Sequence, residues 1–219
     1  MNEHETGTPP TSNIRKFIFL IVGKSGSGKT TLVNKLCQDY HYTSIESYTT
    51  RPPRYDGERG HIFVDENDFP PKDEWVGYTE YNGYRYCATQ NQVEQSNFYV
   101  IDPAGVDYFM KQYHGDKTPV VIGIYASETV RRQRMKSRGD TDEAIESRIA
   151  NDAKSFSNAN AHIWIYNGRT SDDALDQTVT VMQCLISDAE LLEALSSSEP
   201  HEYQYTSVVE MQNATMRQI

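Results

Sequence analysis

The sequence predicts an α/β fold with a parallel β-sheet that is flanked by helices on both faces. Four short apolar runs suit strands that are buried on both faces, and a helix-like stretch follows each of them: KFIFLIVG, NFYVIDPAG, TPVVIGIYAS and AHIWIYNG. Alternation of strands and helices favours a parallel sheet, because each helix returns the chain to the edge where the next strand starts. The 219 residues are enough for one full-size domain with a small insertion or lid.

The middle of the chain, residues 45–90, differs in pattern from the predicted core segments 14–44 and 91–196. Its short stretches are dense in Tyr and Thr and are separated by turn-forming Gly, Asn and Asp, which predicts a small, mainly antiparallel β insertion. The first core segment contains a predicted helix at about 30–40.

Helical and irregular segments complete the predicted organisation. The stretch DTDEAIESRIANDAKSF reads as a helix that opens with a capping residue, and residues 171–195 read as a second long helix. Residues 1–13 are polar and form a predicted flexible leader. Residues 197–219 form a tail that we expect to be loosely ordered, with YTSVV as a candidate docking strand.

The composition disfavours several classes of function. A net charge of −10 and a pI near 5.0 disfavour a sequence-blind nucleic-acid or membrane binder, because the average field repels phosphate-rich partners. Any anion site must therefore be local. The three cysteines are scattered and contain no C-x-x-C pair, which suggests reduced thiols, and no segment resembles a signal peptide or a membrane span. We therefore expect a soluble, cytoplasmic protein.

The stretch GKSGSGKT matches G-x-x-x-x-G-K-[ST] in full and lies between a predicted strand and a predicted helix. Its glycines let backbone N–H groups turn toward phosphates, whereas a chance Lys in a glycine-rich turn is the simpler alternative. Lys29 is predicted to bind the β- and γ-phosphates of ATP, and the Thr30 hydroxyl to complete a Mg²⁺ shell. The predicted ATP-binding residues of this loop are Gly23, Ser25, Gly26, Ser27, Gly28, Lys29, Thr30 and Thr31.

The stretch SYTTRPPRYDGERGHIF, at residues 47–63, bears on the phosphoryl acceptor. Two prolines stiffen the backbone between Arg51 and Arg54, and two guanidiniums held in this way suit a phosphate monoester dianion. A solvated arginine-containing loop is the alternative. The TTRPPR and GE motifs resemble the acceptor-binding segment of guanylate kinases, and further segments follow that family's order over most of residues 17–185.

The resemblance implies a P-loop kinase sheet with a nucleoside monophosphate site in the insertion. The acceptor ligands that it implies, with Glu80 as a possible substitute, are Ser47, Arg51, Arg54, Glu58, His61, Glu80, Tyr86 and Asp102. His61 stands where the family usually has Tyr, and both side chains can donate a hydrogen bond to phosphate. Asp102 matches a base contact and is also a candidate for the metal shell. Asn167 falls where the family's adenine-contacting loop begins, with a plain turn Asn as the alternative.

Base recognition departs from the family's pattern at three positions. Gly77 replaces a Glu that contacts guanine, Ala88 replaces a Ser or Thr, and Val100 replaces an Asp near the metal. Glu80 or Thr89 is a candidate substitute, since a carboxylate that accepts from N1–H and N2–H₂ favours guanine. The acceptor base is therefore less strongly predicted than the acceptor phosphate.

Five basic residues cluster in VRRQRMKSR, and Arg131, Arg134 and Arg138 share one face of a predicted helix. A solvated basic face is the usual explanation for such a run. The resemblance instead implies a helical lid at about 128–150, whose arginines neutralise charge on the transferred group and exclude water. The predicted catalytic residues are Lys29, Arg54, Arg134, Arg138 and Arg148.

The function that the resemblance implies is transfer of the γ-phosphoryl group of Mg-ATP to GMP or dGMP, with small-molecule nucleotides as partners. Two alternatives stay open. The first is a kinase of the same fold that acts on another (deoxy)nucleoside monophosphate, because the base pocket is altered. The second is a non-catalytic guanylate-kinase-like interaction module, although Lys29, Thr30 and the lid arginines are intact.

Overall fold

The computed structural model describes residues 14–53, 56–81, 83–168 and 174–202. The strands are β1 (Phe17–Val22), β2 (Ser47–Thr49), β3 (His61–Phe63), β4 (Trp75–Tyr81), β5 (Tyr84–Thr89), β6 (Phe98–Val100), β7 (Thr118–Tyr125), β8 (Asn160–Ala161), β9 (Ile163–Tyr166) and β10 (His201–Glu202). The α-helices are α1 (Lys29–Tyr40), α2 (Gln90–Gln95), α3 (Pro103–Gln112), α4 (Glu128–Ser137), α5 (Asp142–Ser155), α6 (Ala174–Ser187) and α7 (Ala189–Ser196). Within these described residues, none of the helices has the length and apolarity needed to cross a membrane.

The main sheet consists of four parallel strands in the order β6-β1-β7-β9, which confirms the predicted α/β class. Every residue of β1 is buried, because helices cover both faces of the sheet. Phe19, near the centre of β1, pairs with Phe98 on one side and with Val120 on the other. The four apolar runs of the sequence thus form the four strands of this sheet.

The core has two layers, one on each face of the main sheet. Phe17, Phe19 and Ile21 pack against α1 and α6 on one face, whereas the intervening β1 residues pack with α3 on the other. This division follows from the alternation of side chains along a strand. Because β1 is packed from both sides, the loop that follows Val22 starts from a rigid strand.

The predicted insertion is a second sheet with the strand order β3-β2-β5-β4. It is mainly antiparallel: β5 is antiparallel to β2 and β4, and only β2 and β3 run parallel. Ser47 pairs with His61, and Tyr86 pairs with Thr49 and with Thr79. Side chains at directly paired positions lie on the same face of a sheet, so these five residues define one face, here called the inner face.

One prediction for the C-terminal part of the chain is wrong, that of a single long helix. The described part of the predicted long helix is two helices, because Asp188 ends the first and caps α7 by accepting the Leu191 N–H at 3.0 Å. The start of the predicted loose tail contributes β10, which pairs with β8, and the His201 carbonyl accepts the Trp164 indole N–H at 3.1 Å. The predicted leader and the YTSVV strand lie outside the described residues.

His162 joins β8 to β9 and is buried against the main sheet, with 3% of its surface exposed. Its Nδ1 accepts the Val121 N–H at 2.8 Å, and its backbone N–H donates to the Val121 carbonyl at 2.9 Å. Burial lowers the pKa of this imidazole, so protonation of His162 favours the unfolded chain.

We therefore expect the free energy of unfolding to fall as the pH drops through about 6.5, where an unfolded histidine takes up its proton. His162→Asn keeps an acceptor oxygen near Nδ1 and should show a smaller fall between about pH 7.5 and about pH 5.5 in urea unfolding. The exposed His114 provides the control, because His114→Asn should behave like the wild type. Identical pH dependence in all three proteins would contradict this assignment.

Candidate active site

The glycine-rich loop between β1 and α1 leads into a helix N-terminus that has no side-chain cap. Gly28 is the N-cap residue with a φ of 93°, and Gly26 has a φ of 77°, both in the left-handed region that favours glycine. A Cβ on Gly28 would also lie 2.4 Å from the Asn167 amide nitrogen. The first N–H groups of a helix have no partner inside it, so without a cap they remain available for an anion.

Asn167 supports this loop from the side of the core. Its amide nitrogen donates to the Ser27 carbonyl at 2.8 Å, and its amide oxygen accepts the Thr178 hydroxyl at 3.2 Å. Its backbone N–H donates to the Tyr125 carbonyl at 2.7 Å, and only 4% of the residue is exposed. Asn167, predicted as an ATP contact, therefore lies beneath the loop with its amide bound to the loop backbone.

A buried ion pair between α4 and α5 holds another part of the loop. Arg131 and Asp152 approach to 3.0 Å, and their side chains are 5% and 10% exposed. Asp152 also accepts the Ser25 N–H at 2.8 Å and the Ser25 hydroxyl at 3.1 Å. Arg131 donates to the Ser25 carbonyl at 3.2 Å. The pair thereby fixes the N–H, the carbonyl and the hydroxyl of Ser25.

Lys29 and Arg134 lie against the backbone of the same loop. Lys29 Nζ donates to the Gly23 carbonyl at 2.5 Å, and Arg134 donates to the Ser27 carbonyl at 3.2 Å. Burial lowers the pKa of the partly buried Lys29 ammonium to about 8, and the Asp152 carboxylate opposes this shift. Two of the predicted catalytic cations are thus held at the loop that offers the uncapped amides.

Arg138 and Arg148 meet at one carboxylate of the predicted lid. Arg138 donates to Asp140 Oδ2 at 2.6 Å, and Arg148 Nε lies 3.6 Å from the same oxygen. Arg138 directly follows α4 and Arg148 belongs to α5, so Asp140 joins the two helices. The Arg138 charge also lowers the pKa of Lys29, after burial and the Arg131 charge.

Four predicted acceptor ligands form a polar cluster on the inner face. Ser47 Oγ and His61 Nδ1 are 2.9 Å apart, and the His61 ring meets the Tyr86 ring edge-on with centroids 5.6 Å apart. The Arg51 guanidinium interacts with the Tyr86 hydroxyl and lies 5.2 Å from the centre of the Phe63 ring. This cluster, Ser47, Arg51, His61 and Tyr86, is called the inner-face cluster below.

The Arg51 guanidinium is held by contacts with neighbouring residues of the insertion. It makes a two-point ion pair with Glu58 at 2.9 and 3.1 Å and donates to the Pro52 carbonyl at 2.8 Å. Its Nε is buried and has no hydrogen-bond partner among the described residues. Among the described residues, the Nε atoms of Arg85 and Arg131 are also buried without a partner, so this atom does not by itself mark a ligand site. Glu58 thus orients Arg51, whereas Arg54 lies outside the described residues.

Asp102 contacts a residue of the inner face, whereas Glu80 lies on the opposite face of β4. Asp102 caps α3 by accepting the Gly105 N–H at 2.6 Å, and its other carboxylate oxygen accepts the Thr79 hydroxyl at 2.8 Å. Glu80 is exposed and accepts the Tyr78 hydroxyl on the opposite face of β4, because consecutive strand residues alternate between faces. The structure therefore does not bring Glu80 together with the other predicted acceptor ligands.

The parallel sheet, the glycine-rich loop ending in Lys-Thr and the arginine-bearing helices together define a P-loop nucleotide-binding protein. A family model described as "Guanylate kinase" matches residues 15–189. The chain therefore belongs to the guanylate kinase family, whose members are ATP-dependent nucleoside monophosphate kinases.

Two named relatives, both guanylate kinases, agree with this assignment. The chain is 28% identical over 179 residues to a guanylate kinase of Nitrosomonas europaea. The matched region covers 76% of this chain and 88% of that relative. The chain is 30% identical over 164 residues to a guanylate kinase of Bacteroides fragilis, with 68% and 80% covered. The crystal structure of a guanylate kinase from Anaplasma phagocytophilum covers 86% of this chain and 100% of its own, with 18% identity and a TM-score of 0.47.

Sequence reasoning missed two residues of this site, Asp152 and Thr79. Helical spacing put Arg131 on the face of its helix that carries the predicted lid arginines, but nothing in the pattern indicated Asp152 as its partner. Thr79 was only one of many Thr residues in the insertion, and its bond to Asp102 depends on how the two sheets meet. Thr89, a candidate base contact, instead caps α2 by accepting the Gln92 N–H at 3.4 Å.

Arg131→Met should lower the free energy of unfolding by about 3 kcal/mol, because it leaves the Asp152 carboxylate buried without its cation. Arg132→Met is the matched control, since Arg132 lies on the same helix and pairs with Glu146 at the exposed surface. Urea unfolding of both variants and the wild type measures the difference. Losses of similar size in the two variants would show that burial of the ion pair is not the cause.

Proposed function

We propose that this chain transfers the γ-phosphoryl group of ATP directly to GMP or dGMP. The observation that carries the proposal is the cluster of hydrogen-bond donors on the inner face, Ser47, Arg51, His61 and Tyr86. The same molecule has an uncapped helix N-terminus behind a phosphate-binding loop, and so offers the two anion sites that transfer between two phosphates requires. Membership of the guanylate kinase family supports GMP as the acceptor.

In this proposal, ATP binds at the glycine-rich loop. The loop amides bind its phosphates, and Lys29 neutralises charge on the β- and γ-phosphates. Thr30 lies at the exposed start of α1, and its hydroxyl suits Mg²⁺, which favours oxygen ligands and neutralises phosphate charge when bound. Asp102 has both carboxylate oxygens engaged by Gly105 and Thr79, which favours a role at the acceptor base over one at the metal.

The acceptor phosphate binds at the inner-face cluster, with Arg54 as a further ligand. Ser47, His61 and Tyr86 can each donate one hydrogen bond, and Arg51 contributes the positive charge of its guanidinium. A phosphate monoester is already an oxyanion at neutral pH, so the reaction needs no general base. The protein's task is to align one acceptor oxygen with the γ-phosphorus and to exclude water.

Arg134, Arg138 and Arg148 supply positive charge around the group in transfer. The transition state spreads negative charge over the equatorial phosphoryl oxygens, which guanidiniums can bind at two points. Asp140 holds Arg138 and Arg148 together, and the Ser27 carbonyl holds Arg134 at the loop. These contacts preposition the arginines, so less side-chain entropy is lost when the nucleotides bind.

We also propose a cytoplasmic location, where the nucleotide substrates are present. The three cysteines, Cys37, Cys87 and Cys184, are all free thiols. Free thiols suit a reducing compartment.

The reaction is tested by incubating the protein with ATP, Mg²⁺ and each ribo- and deoxynucleoside monophosphate in turn and measuring ADP. We expect GMP and dGMP to give the highest rates of ADP formation. Activity with a pyrimidine nucleotide but not with GMP would overturn the guanine assignment. A rate at background with every acceptor would instead indicate an interaction module.

Lys29→Ala should reduce turnover about a hundredfold or more, because it removes a donor to the transferred phosphate from a preorganised site. Thermal unfolding should be nearly unchanged, since the Lys29 side chain bonds loop carbonyls and does not pack in the core. Lys35→Ala is the control on the same helix, because Lys35 pairs with Asp39 at the surface. A wild-type rate in Lys29→Ala would mean that the loop does not hold the donor phosphate.

A further inference from the structure

Tyr99 fills the space next to Gly77 on the inner face. A Cβ on Gly77 would lie 2.6 Å from Tyr99 Cε1 and 2.8 Å from the Tyr99 hydroxyl oxygen. Phe98 and Val100, its neighbours in β6, pack on the other side of the main sheet. The phenol ring of Tyr99 therefore requires glycine at position 77 and brings its hydroxyl to the place where a side chain at that position would lie.

The position that the Tyr99 ring contacts, Gly77, is two residues along β4 from Thr79 of the inner face. Thr79 is opposite Tyr86, and Gly77 is opposite Ala88, two residues further along the paired strands. Two residues of an extended strand span about 7 Å, roughly the distance that a ribose places between a phosphate and a base. Ala88 is fully buried in the same cluster as Tyr99, so the tyrosine ring occupies the space beside these two small residues.

The Tyr99 hydroxyl is a buried polar group without a partner. Tyr99 is 4% exposed, and among the described residues no hydrogen bond is formed by its hydroxyl. The fully enclosed side-chain atoms without a partner belong to Ser27, Arg51, Arg85 and Arg131. Since the Tyr99 oxygen is not one of these, it retains access to solvent and can meet a ligand.

We propose that the Tyr99 hydroxyl reads the acceptor base by donating a hydrogen bond to the O6 carbonyl oxygen of guanine. This inference rests on the proposed function and assigns a specificity-determining residue that the acceptor motifs do not contain. It also explains how a chain with Gly77 and Ala88 in its pocket can prefer guanine.

The chemistry of the neighbouring groups supports this division of roles. The guanine edge combines one acceptor, O6, with the donors N1–H and N2–H₂. The Asp102 carboxylate is held beside Thr79 and can only accept, so it suits the donors of the base. Burial raises the pKa of Tyr99, with the Cys87 thiol and Asp102 as smaller causes, so the phenol keeps its proton and serves as the donor that O6 requires.

Tyr99→Phe removes this hydroxyl and keeps the ring that packs on Gly77. We expect kcat/KM for GMP to fall about tenfold while KM for ATP is unchanged, since one hydrogen bond to the acceptor is lost. The wild-type preference for GMP over 6-thio-GMP, whose sulfur is a weak acceptor, should shrink toward unity in the variant. The ratio of kcat/KM for GMP to that for IMP should not change, because IMP lacks only the N2 amino group, which the Tyr99 hydroxyl does not bind in this proposal.

Tyr113→Phe is the matched control. Tyr113 is also a buried tyrosine next to Phe109, but its hydroxyl binds Glu94 and the Lys117 N–H away from this pocket. The Tyr113→Phe variant should have the same GMP-to-6-thio-GMP and GMP-to-IMP ratios of kcat/KM as the wild type. If Tyr99→Phe uses GMP and 6-thio-GMP as the wild type does, the inference fails while the proposed function stands. If the wild type phosphorylates no nucleoside monophosphate, the proposed function itself fails.

Discussion

One constraint governs this structure: a loop that offers its amides to phosphate cannot use those amides to stabilise itself. Its remaining backbone groups are therefore bound by side chains from outside the loop. Asn167 binds the Ser27 carbonyl, and the Arg131–Asp152 pair binds Ser25 on its N–H, carbonyl and hydroxyl. Because Arg131 belongs to α4 and Asp152 to α5, the lid helices are part of the support that gives the loop its shape.

Helix α5 also connects the glycine-rich loop to the insertion. Asp152 of α5 bonds Ser25, and the preceding residue, Asn151, has its amide 3.4 Å from the Tyr81 hydroxyl of β4. Adjacent residues thus contact the donor loop and the acceptor sheet, so a movement of α5 changes both contacts together. Transfer between two phosphates requires both nucleotides in place and water excluded, and in the proposed reaction this connection would let α5 respond to both nucleotides.

The features that could be predicted from the sequence are those set by local patterns. The loop was predictable because its motif needs positive φ at positions such as Gly28, and the strands because buried parallel strands are continuous apolar runs. Asp188 was missed as a helix break, since the apolar periodicity continues across it. The bonds of Asp152 and the contact of Tyr99 with Gly77 depend on how distant elements pack, which no local pattern contains.

The central claim is that one molecule binds the donor and the acceptor nucleotide at the same time, at the glycine-rich loop and the inner-face cluster. A bisubstrate analogue, adenosine joined to guanosine through an oligophosphate chain, tests this claim most directly in steady-state inhibition. We predict competitive inhibition against both ATP and GMP, because the analogue must occupy both sites. Competition with ATP alone, and unchanged inhibition when GMP is raised, would contradict the two-nucleotide site.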